Sequence, residues 1–166
     1  NLPFWAELGS TPSNKTSLIP KWGDKMNAII TETIPEKVTS LAGVPSWMLI
    51  LLQKVLQETE NKTITEVWPD IEVYFHGGVS FKPYRELYQK LLPKDNFHFY
   101  EIYNASEGFF GIQDRNDADD LLLMLDYGIF YEFIPFYPSG PANEDEIISL
   151  SEVKLNTNYE LVITTN

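Results

Sequence analysis

The chain has 166 residues, enough for one domain that buries roughly 70% of its unfolded surface, and its 43% hydrophobic and 14% aromatic content favours a packed globule over disorder. Twelve Lys plus Arg against 24 Asp plus Glu give a formal net charge of −12, which excludes the cationic, phosphate-neutralising surface of a nucleic-acid-binding protein but leaves nucleotides open, since these need only local donors and a metal ion. The absence of cysteine removes disulfides, thiolate zinc sites and cysteine nucleophiles. No apolar run approaches ~18 residues and no signal-peptide pattern opens the chain, so no membrane contact and a cytoplasmic location are expected.

Residues 1 to 23 mix Pro, Ser, Asn and Trp and read as irregular surface chain. Asp24 to Ile34 reads as a helix, with Asp24 as N-cap and Pro35 as its stop. Val38 to Val44 is a short strand candidate. Pro45 to Leu56 reads as a helix with Pro in its first turn. Its WMLILL run is apolar nearly all round, so the helix is expected to be largely buried. Ile71 to His76 is a strand ended by Gly77-Gly78. Ser80 then caps an expected helix in which Phe81, Tyr84, Leu87, Tyr88, Leu91 and Leu92 share one face, with Pro93 as the stop. Phe97 to Tyr103 is the next strand. Leu121 to Leu125 and Ile129 to Pro135, joined by Asp126-Tyr127-Gly128, suggest a hairpin. Asn143 to Glu146 is an acidic, solvated loop, and Leu155 to Thr164 is a last strand candidate. Helices alternate with strands first and hairpins follow, which predicts an α/β fold with a mixed, mostly parallel sheet and flanking helices.

Two turns stand out. Gly77-Gly78-Val79-Ser80 lies between strand and helix, where glycines lacking Cβ let a flat ring or a phosphate approach the main chain, and the N–H groups of a helix start favour anions. It is not a Walker A loop, because no Gly-Lys-Ser/Thr follows. Tyr103-Asn104-Ala105-Ser106-Glu107-Gly108 follows the next strand. Tyr103 offers a stacking face, Asn104 and Ser106 offer hydrogen bonds, and Glu107 offers a hard oxygen for Mg²⁺. Each turn alone is explained by local structure. Together they are separated by about one helix and one strand, so in a parallel sheet both emerge at one edge, where open α/β sheets bind ligands.

Other constellations carry less. Asp114-Arg115-Asn116-Asp117-Ala118-Asp119-Asp120 fails as a calcium loop: Ala118 takes a ligand position, Asp119 replaces the turn glycine, and Leu125 stands where a bidentate Glu belongs. His76 and His98 lie in aromatic strands without a nucleophile or metal partner at readable spacing, and are expected to be satisfied strand histidines. Asn-x-Ser/Thr sequons at Asn14, Asn61 and Asn104 read as chance, and a glycan at Asn104 would block the proposed site. No G-x-S-x-G elbow is present.

YNASEGFFGIQD, the YFHGG strand before it and FYEFIPF at Phe130 to Phe136 resemble the Gretchen Hagen 3 (auxin-responsive) branch of acyl acid amido synthetases, within the adenylate-forming superfamily. The resemblance extends less specifically from about Gly43 to the end. YNASEG is similar to the branch's Tyr-x-Ser-Ser-Glu motif, with Ala105 replacing the first Ser. The resemblance implies ATP- and Mg²⁺-dependent activation of a small carboxylic acid to an acyl-adenylate, then amide formation with an amine or amino acid. It implies that Gly77, Gly78 and Val79 line the adenine, that Tyr103 flanks the ring with Asn104 nearby, that Ser106 contacts the α-phosphate, and that Glu107 holds the metal. Ser106 and Glu107 are thus the catalytic candidates. The family's phosphate loop has no counterpart here; GSTPSNKTS at Gly9 to Ser17 does not match. Its ribose-binding aspartate motif would begin just after ELVITTN, and its small C-terminal domain is missing. The expectation is one partial domain over residues 1–166, the middle of an adenylating large domain, inactive in isolation. The alternative is a non-catalytic nucleotide- or ligand-binding α/β module.

Overall fold

The computed structural model describes residues 9–116, 118–138, 140 and 143–165. It divides into two compact units, one of Asn1–Tyr103 with Ile112–Leu121, the other of Asn104–Gly111 with Leu122–Asn166. The fold is mixed α/β, with a mostly parallel sheet and flanking helices.

The first unit opens with a single turn, α1 (Asn14–Ser17), capped by the Ser13 hydroxyl. Helix α2 follows at Trp22–Thr33. It starts earlier than Asp24: Lys21 is the N-cap, and Asp24 sits in the first turn, 3.5 Å from Lys21 Nζ. An acid there faces the positive end of the helix dipole, which suits it as well as a cap would. Met26, Ile30 and Thr33 form the buried face, and Pro35, without an N–H, prevents continuation.

Strand β1 (Ser40–Gly43) leads into α3 (Pro45–Thr59), with Pro45 at the first helical position. Leu52 and Val55 are fully buried, each contributing ~1.5–3 kcal/mol. The helix is not buried all round, however. Trp47 and Ile50 are 54% and 41% exposed, because one face of α3 suffices to cover the sheet. A capping box of Thr63 and Glu66 starts the short α4 (Ile64–Val67). Then come β2 (Val73–Gly77), α5 (Arg85–Leu91) and β3 (His98–Ala105).

Strands β1, β2 and β3 pair in parallel, with Leu41 beside Tyr74 and Tyr74 beside Phe99. On that face lies the core: Met26 and Ile30 of α2, Leu52 and Val55 of α3, Ile64, Trp68 and Ile71, and Phe81, Tyr88 and Leu92 around α5.

The second unit holds the end of β3, a Ser106–Glu107 turn, β4 (Gly108–Ile112, to Gly111), β5 (Leu122–Leu123), β6 (Ile129–Pro135), β7 (Ile148–Ser149) and β8 (Tyr159–Thr165). The strand orders are β1-β2-β3-β4-β5 and β7-β6-β8. The expected hairpin between Leu121–Leu125 and Ile129–Pro135 does not form. β5 and β6 lie in different sheets, and Asp126-Tyr127-Gly128 connects them. The reason is partner length: β8 pairs antiparallel with β6 from Ile129↔Thr165 to Pro135↔Tyr159, which a strand of two residues cannot match. Phe110, Tyr131 and Ile134 are buried here, and the Tyr131 hydroxyl donates to the Met124 carbonyl at 3.0 Å. Asn143 caps a 3-10 turn at Glu144–Glu146, exposed as expected of the acidic segment. Among the described residues no helix is long and apolar enough to cross a membrane.

Candidate functional site

In the first unit the parallel register sets Gly77 opposite Ile102, so Tyr103 follows directly past the partner of Gly77. Gly77, Gly78, Val79 and Tyr103 therefore share the carboxyl edge of β2 and β3. Val79 and Tyr103 are 42% and 48% exposed. The two glycines differ in kind. A Cβ at Gly77 would run into the Ile102 carbonyl oxygen, so Gly77 serves the close approach of two strands. Gly78 has φ +81, which favours glycine, and a Cβ there would meet only Val44 Cγ2 at 3.4 Å.

No helix starts at Ser80. The chain turns through Phe81 to Tyr84 and α5 begins at Arg85 without a side-chain cap. Two causes are visible. Pro83 disfavours helical geometry at Lys82. Phe81 is buried in an aromatic cluster, with ring centroids 3.9 Å from His76, 5.1 Å from Phe99 and 5.4 Å from Tyr88. The expected helix-start donors are therefore not at Gly77-Gly78.

Two phenols hold this edge from below. Tyr74 Oη donates to the Gly43 carbonyl at 2.9 Å and Tyr88 Oη to the Pro45 carbonyl at 2.7 Å, with the two rings stacked at 5.0 Å. They tie down the turn between β1 and α3 that carries Val44. Burial pushes the Tyr74 phenol up to about 12, and burial and Tyr74 raise Tyr88. Both stay protonated donors at neutral pH.

His76 is not the satisfied histidine expected. It is 2% exposed, and neither ring nitrogen has a hydrogen-bond partner among the described residues. Burial, with the Arg85 charge, lowers it to about 4, so it is neutral at physiological pH. His98 opens β3, half-buried, near the Tyr100 ring.

In the second unit Asn104 and Ala105 end β3, and Ser106 and Glu107 form a two-residue turn into β4. The expected polar loop is thus a tight hairpin, because Gly108 and Phe109 continue at once as strand. Asn104, Ser106 and Glu107 are exposed. Glu107 lines a cleft of about 370 Å³ with Phe109, Tyr127, Gly128, Ile129 and Thr165. The Phe109 and Tyr127 rings lie 6.0 Å apart. Tyr127 and Thr165 carry no motif of their own, and only the folding of β6 and β8 places them beside Glu107.

The donor set can be tested against Mg–ATP. Among the described residues no group of three or more His, Asp or Glu could hold a metal ion. Glu107 would offer one carboxylate, which suits Mg²⁺ held mainly by phosphates. The exposed Tyr103 ring and the open Gly78 main chain suit a flat heterocycle. The Asp114–Asp120 stretch is a solvated turn: Arg115 pairs with Asp114 at 3.5 Å and Asp120 at 3.1 Å, and the buried Gln113 amide donates to the Arg115 and Asn116 carbonyls. Asp117 lies outside the described residues.

The GH3 family N-terminal domain matches residues 1–97, and the GH3 family central domain matches residues 122–166. The chain is 28% identical over 178 residues to indole-3-acetic acid-amido synthetase GH3.2 of Arabidopsis thaliana, covering 97% of this chain and 30% of that protein. It is 32% identical over 112 residues to indole-3-acetic acid-amido synthetase GH3.8 of Oryza sativa subsp. indica, covering 61% of this chain and 18% of that protein. The chain thus spans less than a third of these relatives. The crystal structure of CmiS6 aligns with 66% of this chain and 26% of that chain at a TM-score of 0.40 and 19% identity, too low a similarity to add to the fold described above.

Proposed function

The chain belongs to the GH3 family, and from that premise we propose that it is the nucleotide-facing part of an acyl acid amido synthetase. That enzyme activates a small carboxylic acid with ATP and Mg²⁺ and joins it to an amine or amino acid. The observation that carries the reading is the register that sets Gly77 and Gly78 beside the start of the Tyr103–Gly108 motif at the carboxyl edge of parallel strands, where open α/β sheets hold nucleotides.

Bound Mg–ATP supplies an electrophilic α-phosphorus and a pyrophosphate leaving group. The chain's own residues bind and orient. The Tyr103 ring stacks on the base, with Gly78 and Val79 offering main chain to its edge and Gly77 keeping the two strands close enough. Asn104 hydrogen-bonds near the base. Ser106 donates its hydroxyl to an α-phosphate oxygen. Glu107 would hold the metal, which when bound would offset negative charge on the phosphates. The test is ATP–pyrophosphate exchange by the longest translated product that contains this chain, offered a panel of carboxylic acids. Acid-dependent exchange supports the synthetase. Nucleotide binding without exchange favours a non-catalytic binding module.

A further inference from the structure

We propose that a second cleft in the first unit, at the amino-terminal end of β3, binds a small anion through a carboxylate or phosphate group. It measures about 550 Å³. His98, the first residue of β3, lies in its wall, whereas Tyr103 lies at the opposite end of the same strand. The cleft is therefore distinct from the carboxyl edge described above.

Charge distribution carries the argument. The chain has 24 acidic residues against 12 Lys plus Arg, yet among the described residues this cleft gathers Arg85 and Lys94, with the His98 imidazole as a further polar group, against one carboxylate, Asp95. The ion pairs of the described residues use Lys21, Lys37 and Arg115, so among the described residues neither Arg85 nor Lys94 pairs with an acid. Lys94 is held in place all the same: its ammonium donates to the Ile71 carbonyl at 2.9 Å and the Pro69 carbonyl at 3.2 Å. Its charge is fixed but, among those residues, unpaired. The Arg85 guanidinium lies 5.5 Å from the centre of the Phe81 ring, leaving its N–H fork for a planar or tetrahedral oxyanion. Gln89 and Asn116 add amide donors, and the Tyr100 hydroxyl donates to Asn116 Oδ1, which leaves the Asn116 NH₂ to face a ligand. Leu92 and Phe97 give a buried apolar floor. A cleft of this size on an acidic chain suits a small molecule rather than a polyanion.

The test is a titration of the chain with sodium phosphate and with sodium acetate at constant ionic strength in sodium chloride, following side-chain N–H signals of Arg85, Gln89 and Asn116 by NMR. The expected result is saturable shifts at these three groups, at least about tenfold weaker affinity in Arg85→Gln, and tighter binding in Asp95→Asn, which removes a repelling carboxylate from the cleft wall. Lys21→Gln, outside the cleft, is expected to leave affinity unchanged. Saturation by one salt and not the other assigns the group. Shifts that grow linearly and equally with added chloride, or an Arg85→Gln protein that binds as wild type does, overturn the site. Weaker binding in Asp95→Asn also overturns it, because the acid would then be a needed partner.

Discussion

Tyr88 Oη lies 2.7 Å from the carbonyl oxygen of Pro45, and both groups are buried. The bond crosses 43 residues of sequence and ties α5 to the first turn of α3. Tyr88→Phe keeps the ring and removes the second donor to the Pro45 carbonyl, which as that of the first residue of α3 also accepts within the helix, at a cost of about 0.5–1.5 kcal/mol. Urea unfolding is expected to show a lower midpoint at unchanged slope. Because Tyr88 and Tyr74 stack and serve carbonyls two residues apart, Tyr74→Phe and the double variant are expected to be non-additive. A Tyr88→Phe midpoint equal to wild type would show that this bond adds nothing to stability.

His76 makes stability depend on acid. Its folded pKa is lowered from 6.5 to about 4 by burial and by Arg85, so the unfolded chain takes up the proton first. The stabilisation is full above pH 6.5 and is lost as pH falls toward 4, amounting to about 3 kcal/mol. In His76→Phe this part of the pH dependence is expected to vanish, seen as a flatter plot of unfolding free energy between those two values. Equal slopes in the two proteins would mean that His76 is hydrated or paired in solution.

The glycines at the edge are expected to rank by cause. Gly77→Ala drives a methyl into the Ile102 carbonyl oxygen and must part β2 from β3, at about 2–3 kcal/mol. Gly78→Ala brings its methyl only into ordinary contact with Val44 Cγ2 at 3.4 Å but carries φ +81, at about 1 kcal/mol. Thermal unfolding of the two variants checks the order. The reverse order would contradict the strand packing described.

Much of this was legible in the sequence. Proline punctuation marked the end of α2 and the start of α3, and the alternation of apolar runs marked β2 and β3. That the Gly77-Gly78 turn and the loop starting at Tyr103 emerge at one sheet edge followed from parallel pairing alone. Long-range effects were not legible. Burial of Phe81 against His76 delayed α5 to Arg85, and the longer partner β8 drew β6 away from β5. The hydrogen bond from Tyr88 to Pro45 has no local signal. Trp47 and Ile50 on α3 show that an apolar run does not say which of its faces a sheet will cover. The Thr63–Glu66 capping box is a signal that spacing alone could have found.

Glu107 offers the most direct test of the central claim. The measurement is Mg²⁺- and acid-dependent ATP–pyrophosphate exchange by the longest translated product containing this chain, compared with its Glu107→Ala variant. Exchange in the parent that falls ~100-fold or more in the variant is the predicted result. Undiminished exchange in Glu107→Ala would contradict the metal role, and a parent that exchanges with no carboxylic acid would contradict the synthetase itself.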